Sequence, residues 1–421
     1  MAEVEEIFDH IHNNRNFLLS GGAGSGKTYT LVQVIRRAIE EYPSARIACM
    51  TYTNAAVKEI EERVGHKNHN VTTIHDFLWD HIKHFQKELK ECLIELANNE
   101  DVSAITIESE DPIPSNYFDK VEDGIQYKEY VRISEGIISH DQVIAVSDLI
   151  FQRYPKLGDI VKDKYKFIFI DEYQDTQIEV VRIFLEHFKL TRKRNIIGFF
   201  GDAMQSIYDK RISRLDDYRG NEEDKVREVQ KRENRRNPKL IYELANKLRT
   251  DGLVQVHSND TAAPNMLNGR VKEGDIKFLF SESGDIEKVK NYLKWDFSNS
   301  KETKELNLTH NLIAGKANFQ TLMEIYDRDP ILGLKQDILS RIKDNKKRGR
   351  PEIPIDENDT FDQVVDKFPL TNRQQQLKKD VILTDPKSAK LYEELREKKF
   401  AEVRRLYMDK DQLVDDKKQD E

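Results

Sequence analysis

The sequence predicts an α/β fold in which a parallel sheet carries a phosphate-binding loop. Three observations carry that expectation. Phe17, Leu18 and Leu19 form a short apolar run of the kind that a parallel sheet buries on both faces. Gly21 to Thr28 (GGAGSGKT) follows at once, and Leu31, Ile35 and Ile39 then recur at helical spacing. Two further apolar runs, Lys166 to Ile170 (KFIFI) and Asn195 to Phe200 (NIIGFF), end in acidic or polar residues.

The loop is the element around which the rest is organised. Gly21, Gly22, Ala23, Gly24, Ser25, Gly26, Lys27 and Thr28 match the pattern of Gly, four residues, Gly-Lys-Ser/Thr. Glycines let backbone N–H groups close round a phosphate without Cβ clashes. Lys27 places a cation on the outer phosphates, and the Thr28 hydroxyl suits Mg²⁺. The helix that starts there turns its positive end toward the anion.

Arg46 to Met50 (RIACM) reads as the next strand, running into a helix over Thr51 to Gly65 whose start is assigned to an Asn54 cap. Tyr52 stands at the strand's carboxyl end, where open α/β sheets bind ligands; it suits nucleobase stacking or ordinary core packing. Five histidines lie between His66 and His84 without a cysteine, so they make no tetrahedral metal set. Residues from about 83 to 140 are charged and weakly periodic, and read as an inserted, mainly helical subdomain. Asp141 to Tyr154 resumes helical spacing.

The strand Lys166 to Ile170 ends in DEYQDT. Asp171 then suits a Mg²⁺ site facing the loop, and Glu172 suits polarising the attacking water. The strand Asn195 to Phe200 ends in GDAMQSIYDKR, where Gln205 is placed to sense a terminal phosphate. Lys225 to Arg236 is rich in arginine, which suits phosphate or a solvated helix face. A helix is expected from Pro238 to Leu248. Asp275 to Phe280 and Glu305 to His310 read as strands of a second α/β unit. Helices follow them through Ile286, Val289, Tyr292, Leu293 and through Leu312, Phe319, Leu322, Ile325. Arg341 to Pro351 is a basic patch for nucleic acid or a linker, and the last residues have no apolar face.

Composition sets limits. A chain of 421 residues accommodates two or three domains. The net charge of −8 argues against a uniformly basic nucleic-acid coat, though it allows a local basic cleft. Cys49 and Cys92 are the only cysteines, which predicts a reducing, cytoplasmic setting. The acidic, polar start MAEVEEIFDHIHN is unlike a signal peptide, and no apolar run reaches the ~18 residues of a membrane span.

Taken in order, these motifs resemble those of the UvrD/Rep-type superfamily 1 DNA helicases, from about Phe17 to Lys247 and more weakly to about Tyr326. GAGSGKT resembles motif I, TYTNAAVKEI motif Ia, TTIHDF motif Ib, IDEYQDT motif II, GDAMQSIY motif III and ENRRNPKLI motif IV. The resemblance implies two RecA-like motor domains, with ATP between them and single-stranded or partly duplex DNA across their tops. It implies Lys27 and Thr28 on phosphate and Mg²⁺, Asp171 on Mg²⁺, and Glu172 as catalytic base. Gln205 would read the γ-phosphate, and Arg236 would act as an arginine finger. Tyr52, Asn54, His75 and Arg211 would follow the DNA. Relatives sandwich the adenine between an Arg after the loop Thr and a Tyr before the finger Arg; here those positions are Tyr29 and Arg235, exchanged. The aromatic that precedes the Arg of motif III is replaced by Lys210.

The resulting division is a first motor domain over residues 1–224, the start of a second over 225–330, and an accessory insertion or disordered polar tail over 331–421. Motifs V and VI are not found, so the chain reads as a fragment of a longer protein or a motor half that needs a partner. The expected activity is ATP-driven helicase or translocase action. The alternatives are an anti-phage or recombination ATPase working with a nuclease, and a DNA-sensing ATP-binding clamp.

Overall fold

The computed structural model describes all residues except 1, 67–68, 100–101, 103, 106, 108–111, 192, 207–214, 281–285, 300, 307–328, 348–352, 357, 373–374 and 407–421, and the side chains of 343–347 and 404–406. Lys210, Arg211 and the helix expected through Leu312 to Ile325 lie outside the described residues, as does most of Glu305 to His310. The chain forms two compact units, residues 1–278 and 279–421.

The first unit is built on α1 (Ala2–His12), β1 (Phe17–Gly21), α2 (Lys27–Glu41), β2 (Ile47–Thr51), α3 (Asn54–Val64), β3 (His69–Thr73) and α4 (Ile74–Ile82). It continues through α5 (Gln86–Ala97), β4 (Gln126–Tyr127), β5 (Ile137–Ile138), α6 (His140–Arg153), α7 (Pro155–Lys164), β6 (Phe167–Asp171), α8 (Ile178–Leu185) and β7 (Ile196–Gly201). β8 (Arg227–Lys231), β9 (Glu233–Asn234), α9 (Lys239–Leu248), β10 (Val256–His257), β11 (Met266–Leu267) and β12 (Arg270–Val271) complete it.

Six strands form one parallel sheet in the order β3-β2-β6-β7-β1-β8. Strand alternation feeds two cores. Phe17, Leu19, Ile47, Cys49, Phe167 and Phe169 join α1, α2 and α3 on one face. Leu18, Ala48, Met50, Ile168 and Ile170 join α4, α5, α6 and α8 on the other. On the first face the rings of Phe17, Phe169 and Phe200 lie 5.6–6.0 Å apart. Each such buried side chain stabilises the fold by about 1.5–3 kcal/mol, so these strands are anchored by what their sequence runs already displayed.

Three local expectations are corrected. The α3 cap is Thr53, whose hydroxyl accepts the Ala56 N–H at 3.2 Å; Asn54 is the first helical residue. Asp275 to Phe280 forms no strand: Phe278 and Phe280 are 88% and 85% exposed, without the burial that would favour one. The 83–140 segment stays outside the main sheet, yet α5 is its only α-helix among the described residues, and Leu89, Phe118, Ile125 and Ile138 share the core of α4 and α6. β8 lies beyond residue 224 and pairs with β1 from Phe17↔Arg227 to Gly21↔Lys231, so the first sheet takes in the start of the arginine-rich stretch.

In the second unit, Ile286–Leu293 is helical as its periodicity predicts. Helices Pro330–Lys347, Phe361–Lys367, Lys378–Thr384, Pro386–Leu395 and Phe400–Leu406 enclose a core of their own, centred on Ile331, Ile338, Phe361, Val364 and Tyr392. Among the described residues no helix is long and apolar enough to cross a membrane.

Candidate nucleotide site

Sheet order decides which motifs meet. β6, β7 and β1 are neighbours, so Asp171, Asp202 and the glycine loop emerge side by side at one edge. α2 begins at Lys27 after Gly26, whose φ of 84° is a conformation glycine adopts freely, and no side chain caps the first turn. Those uncapped N–H groups are an anion site in waiting. The Lys27 ammonium donates to the Gly21 carbonyl at 3.0 Å and is buried.

A cavity of about 710 Å³ opens over the loop. Its walls bring together Ala23, Gly24, Ser25, Gly26, Lys27, Thr28, Tyr29, Glu172, Gln205, Arg235 and Arg236. Tyr29 is 57% exposed there, while the Arg235 guanidinium also pairs with Asp260. Gly21 and Gly22 lie beneath, packed against Lys231 and Gln255.

Thr28 Oγ1 donates to Asp171 Oδ2 at 3.4 Å. Asp171 Oδ1 is buried and has no hydrogen-bond partner. Burial pushes the Asp171 carboxyl up to about 7, the Glu172 charge pushes the same way, and Lys27 and Thr28 oppose them. An orphaned carboxylate oxygen beside a hydroxyl is an all-oxygen donor set, which fits a hard cation such as Mg²⁺.

Glu172 takes a left-handed backbone (φ 48°, ψ 47°) that residues other than glycine rarely adopt. Such strain persists where surrounding structure imposes it. Here Gln174 supplies part of that: its Nε2 donates to Glu172 Oε2 at 2.6 Å, and its Oε1 accepts the Asp202 N–H at 3.0 Å. Gln205 Nε2 donates to Asp202 Oδ2 at 2.8 Å.

The far wall comes from residues 231–265. The side-chain amides of Asn234, Asn237 and Gln255 donate to the Ala23 carbonyl at 2.8, 2.9 and 3.4 Å, and the Arg235 N–H donates to the Gly24 carbonyl at 3.0 Å. Lys231 pairs with Glu3 of α1 at 3.3 Å. Burial works against the Glu3 carboxylate, but a backbone hydrogen bond and Lys231 hold it below its ordinary range.

At the neighbouring strand ends, Tyr52 after β2 and His75 in α4 bring their rings to 5.9 Å. His75 meets His140 at 4.5 Å, and the Tyr127 hydroxyl lies 2.5 Å from His140 Nδ1. Asn54 is exposed at the start of α3. Sequence reasoning missed Gln174, Asp202, Lys231, Asn234, His140 and Arg249. Gln174, Asp202 and Asn234 sat inside recognised motifs beside the residues chosen, and Lys231 inside the arginine-rich stretch; His140 and Arg249 carry no local signal.

Residues 4–211 match a family described as "AAA domain". The chain is 27% identical over 419 residues to the Gabija protein GajB of Bacillus cereus strain HuB5-5, a match covering 77% of this chain and 59% of that protein. It is 30% identical over 224 residues to GajB of strain VD045, covering 50% and 41%. It is 26% identical over 249 residues to the ATP-dependent DNA helicase Rep of Escherichia coli K12, covering 47% and 35%. The matches thus span about a third to three fifths of these relatives' lengths. With a parallel sheet that sets a phosphate loop beside Asp171 and Gln205, these matches support a superfamily 1 helicase relationship for this chain.

Proposed function

We propose that this chain hydrolyses ATP and uses the cycle to move on single-stranded DNA, as a motor of the UvrD/Rep type. The observation that carries the reading is the convergence of Lys27, Thr28, Glu172, Gln205 and Arg236 on one cavity, with Asp171 bonded to Thr28. Lys27 and the N–H groups of the loop bind the outer phosphates. Thr28 and Asp171 would hold Mg²⁺, which when bound offsets phosphate charge. Glu172, oriented by Gln174, takes a proton from the attacking water. Gln205 reads the terminal phosphate, and Arg236 neutralises charge that develops there. Tyr29 and Arg235 grip the base between them. Tyr52, half-buried, offers a ring face to DNA bases, and the buried His75 packs against it at 5.9 Å and supports it from behind.

The test is a pair of variants. Lys27→Ala should lose nucleotide binding, because the cation on the outer phosphates is gone. Glu172→Gln should keep binding and lose hydrolysis, since an amide cannot take the proton. Near wild-type turnover in Glu172→Gln would refute the assigned role.

A second reading, an anti-phage or recombination ATPase that works with a nuclease, is supported by the extent of similarity to the Gabija protein GajB, 77% of the chain against 47% for Rep. Co-purification of a nuclease with the natural protein would favour it. A strand-displacement assay on that protein separates either motor from a DNA-sensing clamp.

A further inference from the structure

Asp202 is 2% exposed at the end of β7, and both of its carboxylate oxygens are engaged. Arg249 Nη1 donates to Oδ2 at 3.0 Å and Nη2 to Oδ1 at 2.8 Å. The Met204 N–H donates to Oδ1 at 3.2 Å, and Gln205 Nε2 to Oδ2 at 2.8 Å. Arg249 follows α9, and its side chain is 7% exposed. It also donates to Asp251 through Nε at 3.0 Å and Nη2 at 2.5 Å, so the planar fork is held between two carboxylates. Burial pushes the Asp202 carboxyl up, but the bonds from Arg249 and Gln205 outweigh it and hold the group below its ordinary range. Without Arg249, a buried carboxylate loses its cation, and protonation or rotation then removes the acceptor that holds Gln205.

Gln205 itself is exposed and lines the nucleotide cavity. A long exposed amide samples several rotamers unless something holds it. Its bond to a fixed, ionised carboxylate holds one end of that amide at the cavity wall. Resting on the reading of Gln205 given above, we propose that Arg249 is a positioning residue for ATP hydrolysis: it fixes Asp202, and Asp202 fixes Gln205 for the terminal phosphate. The same arginine belongs to the segment that presents Arg235 and Arg236, so it ties both walls of the cavity together.

The experiment measures kcat and KM for ATP, with single-stranded DNA present, in the wild-type chain and in Arg249→Ala, Arg249→Lys, Gln205→Ala and the double variant Arg249→Ala/Gln205→Ala. Asn246→Ala serves as a structural control. It loosens the same segment by removing the Asn246–Gln255 bonds, both 2.8 Å, without touching Asp202. Arg249→Ala should lower kcat about tenfold or more with KM changed less than about twofold, the pattern of a lost transition-state interaction. The double variant should be no slower than Gln205→Ala, Arg249→Lys should fall between, and Asn246→Ala should keep its kcat. Unchanged kcat in Arg249→Ala, additive losses in the double variant, or an equal loss in Asn246→Ala overturns the proposal. If Arg249→Ala does not fold, full kcat in Arg249→Lys overturns it. A wild-type chain that hydrolyses no ATP, or a Lys27→Ala variant as active as wild type, instead fails the underlying reading and takes the proposal with it.

Discussion

Substituting Gly24 by alanine tests how the 234–237 segment meets the phosphate loop. Gly24 has a φ of +85°, and a Cβ there would lie 2.7 Å from Asn237 Nδ2, 3.0 Å from Asn234 Oδ1 and 3.1 Å from Arg236 Cβ. The left-handed backbone costs an L-residue about 1–2 kcal/mol. Asn237 must also move, giving up its 2.9 Å bond to the Ala23 carbonyl, which is about 1 kcal/mol more. The sum is about 2–3 kcal/mol. Gly65 is the matched control, with φ +62° and nothing within 4 Å of an added Cβ, so Gly65→Ala carries only the backbone cost. Urea unfolding of the two variants, read as free energies, should place Gly24→Ala about 1 kcal/mol or more below Gly65→Ala. Gly24→Ala should also raise the KM for ATP, because the clash displaces Arg236. Equal destabilisation in the two variants would refute the placement of Asn237 against the loop.

Tyr29→Ala and Arg235→Ala should each raise the nucleotide KM roughly fivefold to thirtyfold, the equivalent of about 1–2 kcal/mol of stacking. Exchanging both, Tyr29→Arg with Arg235→Tyr, should recover part of the loss; the part left reflects Asp260, whose arginine partner is gone. A double exchange worse than both singles sinks the sandwich. Burial lowers the His81 pKa below 6.5, its Nδ1 bond to the Phe77 carbonyl opposing, so the fold favours neutral imidazole. The unfolded chain then takes up the proton first as pH falls through 6.5, and stability is lost on the acid side. Wild type should therefore lose stability relative to His81→Gln between pH 7 and 5, measured by urea midpoints, and parallel curves would contradict this. Phe361 is fully buried against Tyr392 and Phe400, with ring centroids 5.5 and 6.3 Å away. Phe361→Ala should cost the helical unit about 3–5 kcal/mol while leaving ATP binding intact. A shared loss of both would argue against an independent core.

The sequence by itself determined the parts whose chemistry is local. The loop Gly21–Thr28, the apolar strands around Phe17, Phe167 and Ile196, and the position of the acidic pair Asp171-Glu172 at a strand end were legible because glycine spacing and apolar runs are patterns within a few consecutive residues. Glu172's strained turn and the capping of α3 by Thr53 rather than Asn54 show where that reading falls short by one residue, since a cap depends on backbone dihedrals as well as residue type. Tertiary structure alone decided the rest. Arg227 to Lys231 alternates weakly and looked like part of an arginine-rich stretch; it is a strand because β1 offers it an unpaired edge. Asp275 to Phe280 looked like a strand, and stays exposed where no core covers it. Asn234, Asn237 and Gln255 meet Ala23 across more than 200 residues, and Arg249 meets Asp202 across 47. Those meetings follow from the order β3-β2-β6-β7-β1-β8, which is set by how twisted strands and crossover helices pack together, a property no short window of sequence carries.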